Sequence, residues 1–210
     1  MLDAIGEFLD ATAFTALATP VSNAELIGFA AGAGCVWLAA RQNALNFPLA
    51  LVNAVTFGLL FADKRLYGDA VLQAMFFSLN LLGWWRWWRG DGEHHALPVS
   101  RLSPRGWLVA GAAMVVVVPS LQQALIMISG AAPFLDAVIT TLSVIAQVLL
   151  NRKTLENWWL WIVVDLISVP LYVSKGLYLT ALLYVVFLLM CIGALFSWRR
   201  SLRDAAPSPA

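Results

Sequence analysis

Long apolar runs alternate with short polar breaks along most of this chain. Runs of about 18 residues without charge read as membrane-spanning helices. The pattern predicts seven spans, at about Ala24–Ala40, Asn46–Ala62, Tyr67–Trp85, Gly106–Ile128, Pro133–Leu150, Asn157–Val173 and Leu177–Trp198. The breaks carry polar or turn residues, as in Arg41-Gln42-Asn43, Asp63-Lys64-Arg65, Asn151-Arg152-Lys153 and Ser174-Lys175-Gly176. The longest break, Arg86 to Arg105, is polar and holds Gly90, Gly92, Pro98 and Pro104. Ahead of the first span, Leu2, Ile5, Leu9 and Ala13 share one face of a predicted amphipathic helix on the bilayer surface. The first residues carry Asp3, Glu7, Asp10 and Glu25 and no Lys or Arg, so no cleavable signal is expected. The end, from Asp204 to Ala210, reads as a disordered tail.

The pattern also repeats. Shifted by 111 positions, Arg41–Arg89 lies over Arg152–Arg200 without a gap, and 13 of the 49 pairs are identical. Apolar identities are common in such a sequence. The pairs Arg41/Arg152, Asn46/Asn157, Lys64/Lys175, Tyr67/Tyr178, Trp87/Trp198 and Arg89/Arg200 are not. Transporters built from repeats of this size place their substrate where the repeats meet.

Composition and charge then set the class and the orientation. The chain is 61% hydrophobic and 12% charged, far more apolar than a soluble domain. A net charge of +1 offers no basic surface for nucleic acid. With the N-terminus outside, most Lys and Arg fall in cytoplasmic loops, among them Arg41, Arg86, Arg89, Arg101, Arg105, Arg152 and Lys153. The outer loops then keep only Lys64, Arg65 and Lys175, so N-out and C-in satisfies the positive-inside bias. The expected fold is an all-α membrane protein: two parallel three-helix repeats joined by the linker helix Gly106–Ile128, a 3+1+3 chain. The expected domains are 1–22, an N-terminal periplasmic segment; 23–89, the first repeat; 90–130, the cytoplasmic loop and linker; 131–200, the second repeat; and 201–210, the tail.

Polar groups within a span are costly, about 2.5–3.5 kcal/mol for a central Asp on the insertion scale, and mark candidate sites. Span two carries Asn46 and Asn53, and span three carries Gln73 and Asn80; each pair is seven apart and shares a helix face. Span five carries Gln147. Span six carries Asn157, Trp161 and Asp165 at steps of four. The competing reading is that the amides only join helices by hydrogen bonds. A lone carboxylate such as Asp165 more often marks function. Asp69 and Asp136, near the starts of spans, read as interfacial caps. Pro48, Pro119 and Pro170 are candidate hinges.

Ten Trp residues add a second signal. Trp85, Trp88, Trp159 and Trp198 read as interfacial anchors. Trp161 shares the polar stripe and is the better candidate for stacking on a ligand ring. Trp84 and Trp87 are intermediate. Cys35 and Cys191 fall in apolar runs and read as small core residues, neither disulfide nor metal ligands.

With these residues in hand, the sequence resembles the nicotinamide riboside transporter family (PnuC). Three stretches carry the likeness. One runs from Asn46 through Asn53 to Phe57-Gly58, then Leu66-Tyr67 and Leu72-Gln73. Another is Asn80-Leu81-Leu82-Gly83-Trp84 with Trp87. The third is Arg152-Lys153-Thr154-Leu155-Glu156-Asn157-Trp158-Trp159-Leu160-Trp161, leading to Asp165 and Gly176-Leu177-Tyr178. The resemblance implies a passive inner-membrane carrier without cofactor or ion gradient, homotrimeric, and linked to a cytoplasmic kinase that phosphorylates and traps the vitamin. Related branches carry thiamine or riboflavin. Nicotinamide riboside presents a cationic aromatic ring, a carboxamide and ribose hydroxyls. Trp161, with Trp84 or Tyr184 as a second wall, suits the ring. Asn46, Asn53, Gln73, Asn80 and Asn157 suit the carboxamide and ribose, and Asp165 balances the cation or orients an amide.

An intramembrane enzyme is the rival of another class. His94 and His95 are adjacent in a polar loop and cannot share a helix face, and Ser78, Ser143 and Ser168 have no plausible base. An ion channel would need a carbonyl filter or charged rings, and no such motif is seen.

Overall fold

The computed structural model describes residues 7–8, 11–16, 19–63, 67–90, 97–128, 132–176 and 178–204. Seven long helices follow one another among them: α1 (Asn23–Ala40), α2 (Asn46–Asp63), α3 (Tyr67–Arg89), α4 (Pro104–Met127), α5 (Pro133–Asn151), α6 (Asn157–Ser174) and α7 (Tyr178–Asp204). Each covers one predicted span. Two run on past it, because the Arg-bearing ends of α3 and α7 continue the helix instead of forming loop. Five helices, α2, α4, α5, α6 and α7, are long and apolar enough to cross a bilayer. At 18 residues, α1, α2 and α6 are each about 27 Å long, slightly less than the hydrocarbon thickness.

The N-terminal segment departs from expectation. Thr12–Ala16 (β1) and Thr19–Ser22 (β2) pair as an antiparallel hairpin, from Thr12 opposite Ser22 to Ala16 opposite Thr19. Ala13 is therefore in a strand and not on an amphipathic helix. β-Branched Thr12, Thr15, Thr19 and Val21 favour the pleated backbone. Leu2, Ile5 and Leu9 lie outside the described residues.

The chain divides into two compact units, residues 1–96 and 97–210. In the first, α2 packs between α1 and α3. In the second, α6 packs between α5 and α7, and α4 lies against α5. In each unit, then, the middle helix carries the first polar residues of the predicted site. α1 and α2 approach closely at Gly28, where a Cβ would clash with the Phe57 ring. α4 is the most apolar-exposed helix, with Val118 as its buried residue. Its start is fixed by Ser103, whose hydroxyl accepts from the Gly106 N–H at 3.2 Å, with Pro104 in the first turn.

The connections into α2 and α6 are the same turn. The Asn43 N–H reaches Leu38 O at 2.9 Å and the Gln42 N–H reaches Ala39 O at 2.9 Å. Moved by 111 residues, the Thr154 N–H reaches Leu149 O at 2.9 Å and the Lys153 N–H reaches Leu150 O at 2.8 Å. These are Schellman pairs, and each needs one residue in the left-handed region. Gln42 (φ 57°) and Lys153 (φ 54°) supply it. Pro119 and Pro170 lie inside helices. Pro48 does not interrupt α2. It is the third residue of the helix, where the missing N–H has no intrahelical partner to lose.

Candidate functional site

The Schellman turns deliver an asparagine to the start of each middle helix. Asn46 and Asn157 are completely buried. Each side-chain amide folds back on its own turn. Asn46 Nδ2 donates to Asn43 O and Asn157 Nδ2 donates to Thr154 O, both at 2.7 Å. That leaves Oδ1 of both residues buried without a hydrogen-bond partner among the described residues. A buried acceptor left unpaired costs about 1–3 kcal/mol, so such atoms are kept where something else meets them. Beside each asparagine the next residue makes an edge-to-face aromatic pair: Phe47 with Trp87 at 5.2 Å, and Trp158 with Trp198 at 5.4 Å. These rings pin the last of the three helices to the middle one.

In the first unit the remaining predicted residues are spread along α2 and α3. Asn53 is half-buried and Nδ2 donates to Gly28 O at 2.8 Å. One hydrogen of its amide thus joins α2 to α1. Asn80 is buried and Nδ2 bonds Phe76 O, one turn back, at 2.8 Å. Gln73 is half-buried on α3, with its Cβ close to Gly58 of α2. Trp84 is 38% exposed.

The second unit concentrates its polar groups. Asn157, Trp161, Asp165 and Ser168 fall on one stripe of α6. Asn157, Asp165 and Ser168 are buried, and Trp161 is half-buried. The Cys191 thiol of α7 donates to the Asp165 carboxyl. Asp165 Oδ2 and Ser168 Oγ are buried without hydrogen-bond partners among the described residues. Tyr184 of α7 lies within electrostatic reach of Asp165 and is hydrogen-bonded to Tyr172 of α6. The two tyrosine rings stack at 5.1 Å with 27° between their planes. Gln147 of α5 donates to Asn151 Oδ1 at 3.0 Å. The arrangement joins a carboxylate, a hydroxyl and an aromatic stack in an apolar surround. Such a set can hold a cationic ring and hydrogen-bond the polar groups attached to it.

Several expectations are corrected or extended. Trp198 is not an interfacial anchor: it is fully buried against Trp158, because its ring completes the contact between α6 and α7. Trp85, Trp88 and Trp159 are exposed, as anchors are. Asp136 makes no side-chain cap on α5; it faces Lys175 at 4.0 Å. The side chain of Asp69 lies outside the described residues. Ser168, Tyr172 and Cys191 were not selected from sequence as site residues. Ser168 had a signal, being eleven residues after Asn157 and so on the same helix face. Tyr172 and Cys191 join Tyr184 and Asp165 only through helix packing.

Comparison with known proteins places the chain. The nicotinamide mononucleotide transporter family matches residues 22–200. The nicotinamide riboside transporter PnuC of Escherichia coli is 29% identical over 86% of this chain and 86% of its own. The riboflavin/roseoflavin transporter RibM of Streptomyces davaonensis is also 29% identical, over 95% of this chain and 96% of its own. The crystal structure of the vitamin B3 transporter PnuC superposes with a TM-score of 0.69, at 24% identity, over 87% of this chain and 83% of the other. At that identity the superposition speaks to the fold, and the fold is shared. Seven long helices among the described residues, matched turns and a family match over residues 22–200 lead to one conclusion: this is a multi-pass membrane protein belonging to the nicotinamide mononucleotide transporter family.

Proposed function

We propose that this protein carries nicotinamide riboside across the membrane by facilitated diffusion with alternating access. The observation that carries the reading is the stripe on α6. Asp165 Oδ2 and Ser168 Oγ are buried and unpartnered, and the Tyr172–Tyr184 stack stands near them. A cationic aromatic ring answers the carboxylate and the tyrosine faces together. A carboxamide N–H or ribose hydroxyl answers the unpaired Oδ1 atoms of Asn46 and Asn157. Asn53, Gln73, Asn80, Trp84, Trp161 and Tyr184 complete the proposed contact set, with Trp161 as a ring wall. The E. coli relative, named for nicotinamide riboside, supports this substrate. The RibM relative supports a second reading at equal identity, in which the cargo is riboflavin. Riboflavin is neutral and would leave Asp165 without a charge partner, so the cationic vitamin is preferred. Thiamine, also cationic, remains in the comparison.

The proposal includes the wider setting: a bacterial inner membrane, N-terminus outside and C-terminus inside, a homotrimer, no ion coupling, and trapping of the cargo by a cytoplasmic kinase. Calorimetry on the purified protein with nicotinamide riboside, thiamine and riboflavin in parallel tests the substrate. Binding of nicotinamide riboside alone is expected. Binding of riboflavin but not nicotinamide riboside would transfer the chain to the second reading.

A further inference from the structure

The arginines that end the helices are left unused by the substrate contacts. In the second unit, α7 is 27 residues long, about 40 Å. A hydrocarbon core is about 30 Å thick, so the charged last turns of α7 stand in the headgroup layer. There Arg199 lies over the ring of Trp159 from α6, with Cζ 5.7 Å from the centroid. Trp159 is exposed, and the neighbouring Trp158–Trp198 pair fixes the two helix ends against each other. A guanidinium set over a ring keeps its N–H donors in its own plane, in the fork geometry that grips phosphate. Arg203 is exposed one turn on, on the same face as Arg199. Toward the membrane interior both helices turn apolar side chains outward. Val163 and Leu166 continue the exposed Trp159 stripe of α6, and exposed Phe196 precedes Arg199 by one turn of α7. This end of the unit gathers Arg152, Arg199, Arg200 and Arg203, and its carboxylates Glu156 and Asp204 are engaged. Glu156 accepts the Leu102 N–H at 2.8 Å, and Asp204 faces Arg200 at 3.9 Å. At the other end of the unit Lys175 is matched by Asp136 at 4.0 Å. The Arg–Trp pairing recurs where helices of the first unit end, with Arg41 over Trp37 at 4.1 Å in α1 and Arg89 over Trp85 at 5.3 Å in α3.

We propose that Trp159, Arg199 and Arg203 form a seat for an anionic phospholipid of the leaflet at this end, the cytoplasmic one in the orientation given above. The two guanidinium groups hold the headgroup phosphate. The Trp159 ring lies at the level of the glycerol, where Trp is at home, and the acyl chains run along Val163, Leu166 and Phe196. Charge selects the headgroup. The phosphate of phosphatidylglycerol is uncompensated, whereas that of phosphatidylcholine carries its own cation. Each arginine near the membrane surface therefore favours the anionic lipid. The apolar wall beneath the arginines selects a lipid over a soluble phosphate, which has nothing to lay against it. The inference rests on the membrane class of the chain and not on the identity of its cargo.

Photo-crosslinking tests the seat on the full-length protein in phosphatidylcholine nanodiscs. The probe is phosphatidylglycerol or phosphatidylcholine with a photoreactive group in one acyl chain, and the labelled residues are mapped by mass spectrometry. Labelling at Val163, Leu166 and Phe196 is read relative to Val115 and Val116, exposed residues of α4 that meet bulk lipid. The phosphatidylglycerol probe is expected to be enriched there at least about fivefold over the phosphatidylcholine probe. Equal labelling by the two probes would overturn the proposal. Arg199→Gln and Arg203→Gln should each cut the enrichment about fivefold or to the level of bulk lipid. Trp159→Leu should lower it about threefold, while Trp159→Phe keeps a ring face under Arg199 and stays within about twofold of wild type. Enrichment that survives both arginine substitutions would show that these residues do not hold the lipid. Enrichment abolished by an excess of glycerol phosphate would assign the arginines to a soluble anion and end the proposal as well.

Discussion

The turns that lead into α2 and α6 share every backbone hydrogen bond of the Schellman motif, the left-handed residue, and the folded-back asparagine. Around that common frame the chemistry diverges. Where the second unit has Asp165, the position 111 residues earlier is Ala54; where it has Tyr184 and Cys191, the first has Gln73 and Asn80. The first unit thus offers amides, and the second offers a carboxylate and phenols. The surroundings diverge too, since Ser100 bridges the second turn at Thr154, while Arg41, Asn43 and Leu45 of the first are exposed. A duplicated frame fixes where side chains point.

Substitutions can break this comparison at different depths. The largest effect is expected from the aromatic pins. Trp158→Ala and Phe47→Ala should each lower stability by about 3–5 kcal/mol, read as a fall in Tm in detergent. A loss in one unit only would show that the pins are not equivalent. Next is Asp165→Asn, which removes the one ionisable carboxyl in the stripe. Nicotinamide riboside affinity should fall tenfold or more, about 1.4 kcal/mol or greater, with riboflavin affinity unaffected; calorimetry decides. An equal loss for both vitamins would mean that Asp165 acts by hydrogen bonding and not by charge. Asn46→Ala and Asn157→Ala come third. Each loses the bond to its turn, about 1 kcal/mol of stability, as well as substrate affinity. Equal affinity losses would say that both units touch the cargo. The smallest effects concern the left-handed residues. Gln42→Gly should stabilise by up to about 1 kcal/mol by relieving the Cβ penalty. Lys153→Gly should not, because it also removes buried side-chain contacts. Burial pushes the Lys153 ammonium below its ordinary 10.5. The folded state therefore disfavours the proton, so stability rises with pH through the window between the lowered value and 10.5. Lys153→Gln should flatten that alkaline dependence in thermal melts, and Gln42→Ala should leave it unchanged.

How much was legible follows from the kind of signal. Seven spans were readable because a bilayer demands an uninterrupted apolar length, and each break in that length is a polar residue. The ends of α3 and α7 were set too short because Arg residues, costly inside the bilayer, are good helix formers beyond it. The hairpin at Thr12–Ser22 was missed because strands of five and four residues are too short to show a clear alternation of apolar and polar positions. Trp198 was misplaced because a Trp near a span end reads the same whether it faces lipid or a neighbouring Trp.

The sequence alone determined the membrane class, the helix order, the repeat and the polar stripe of α6, because each is a periodicity or a length, and these are local. Tertiary structure decided which amides are spent on holding helices, as Asn53 is on Gly28, and which atoms stay unpaired, as in Asn157 and Asp165. It also decided that Cys191 and Tyr184 from α7 meet Asp165 of α6, and that the Glu156 carboxylate accepts the Leu102 N–H. A hydrogen-bond partner distant in sequence is chosen by packing, and no spacing along one helix encodes it.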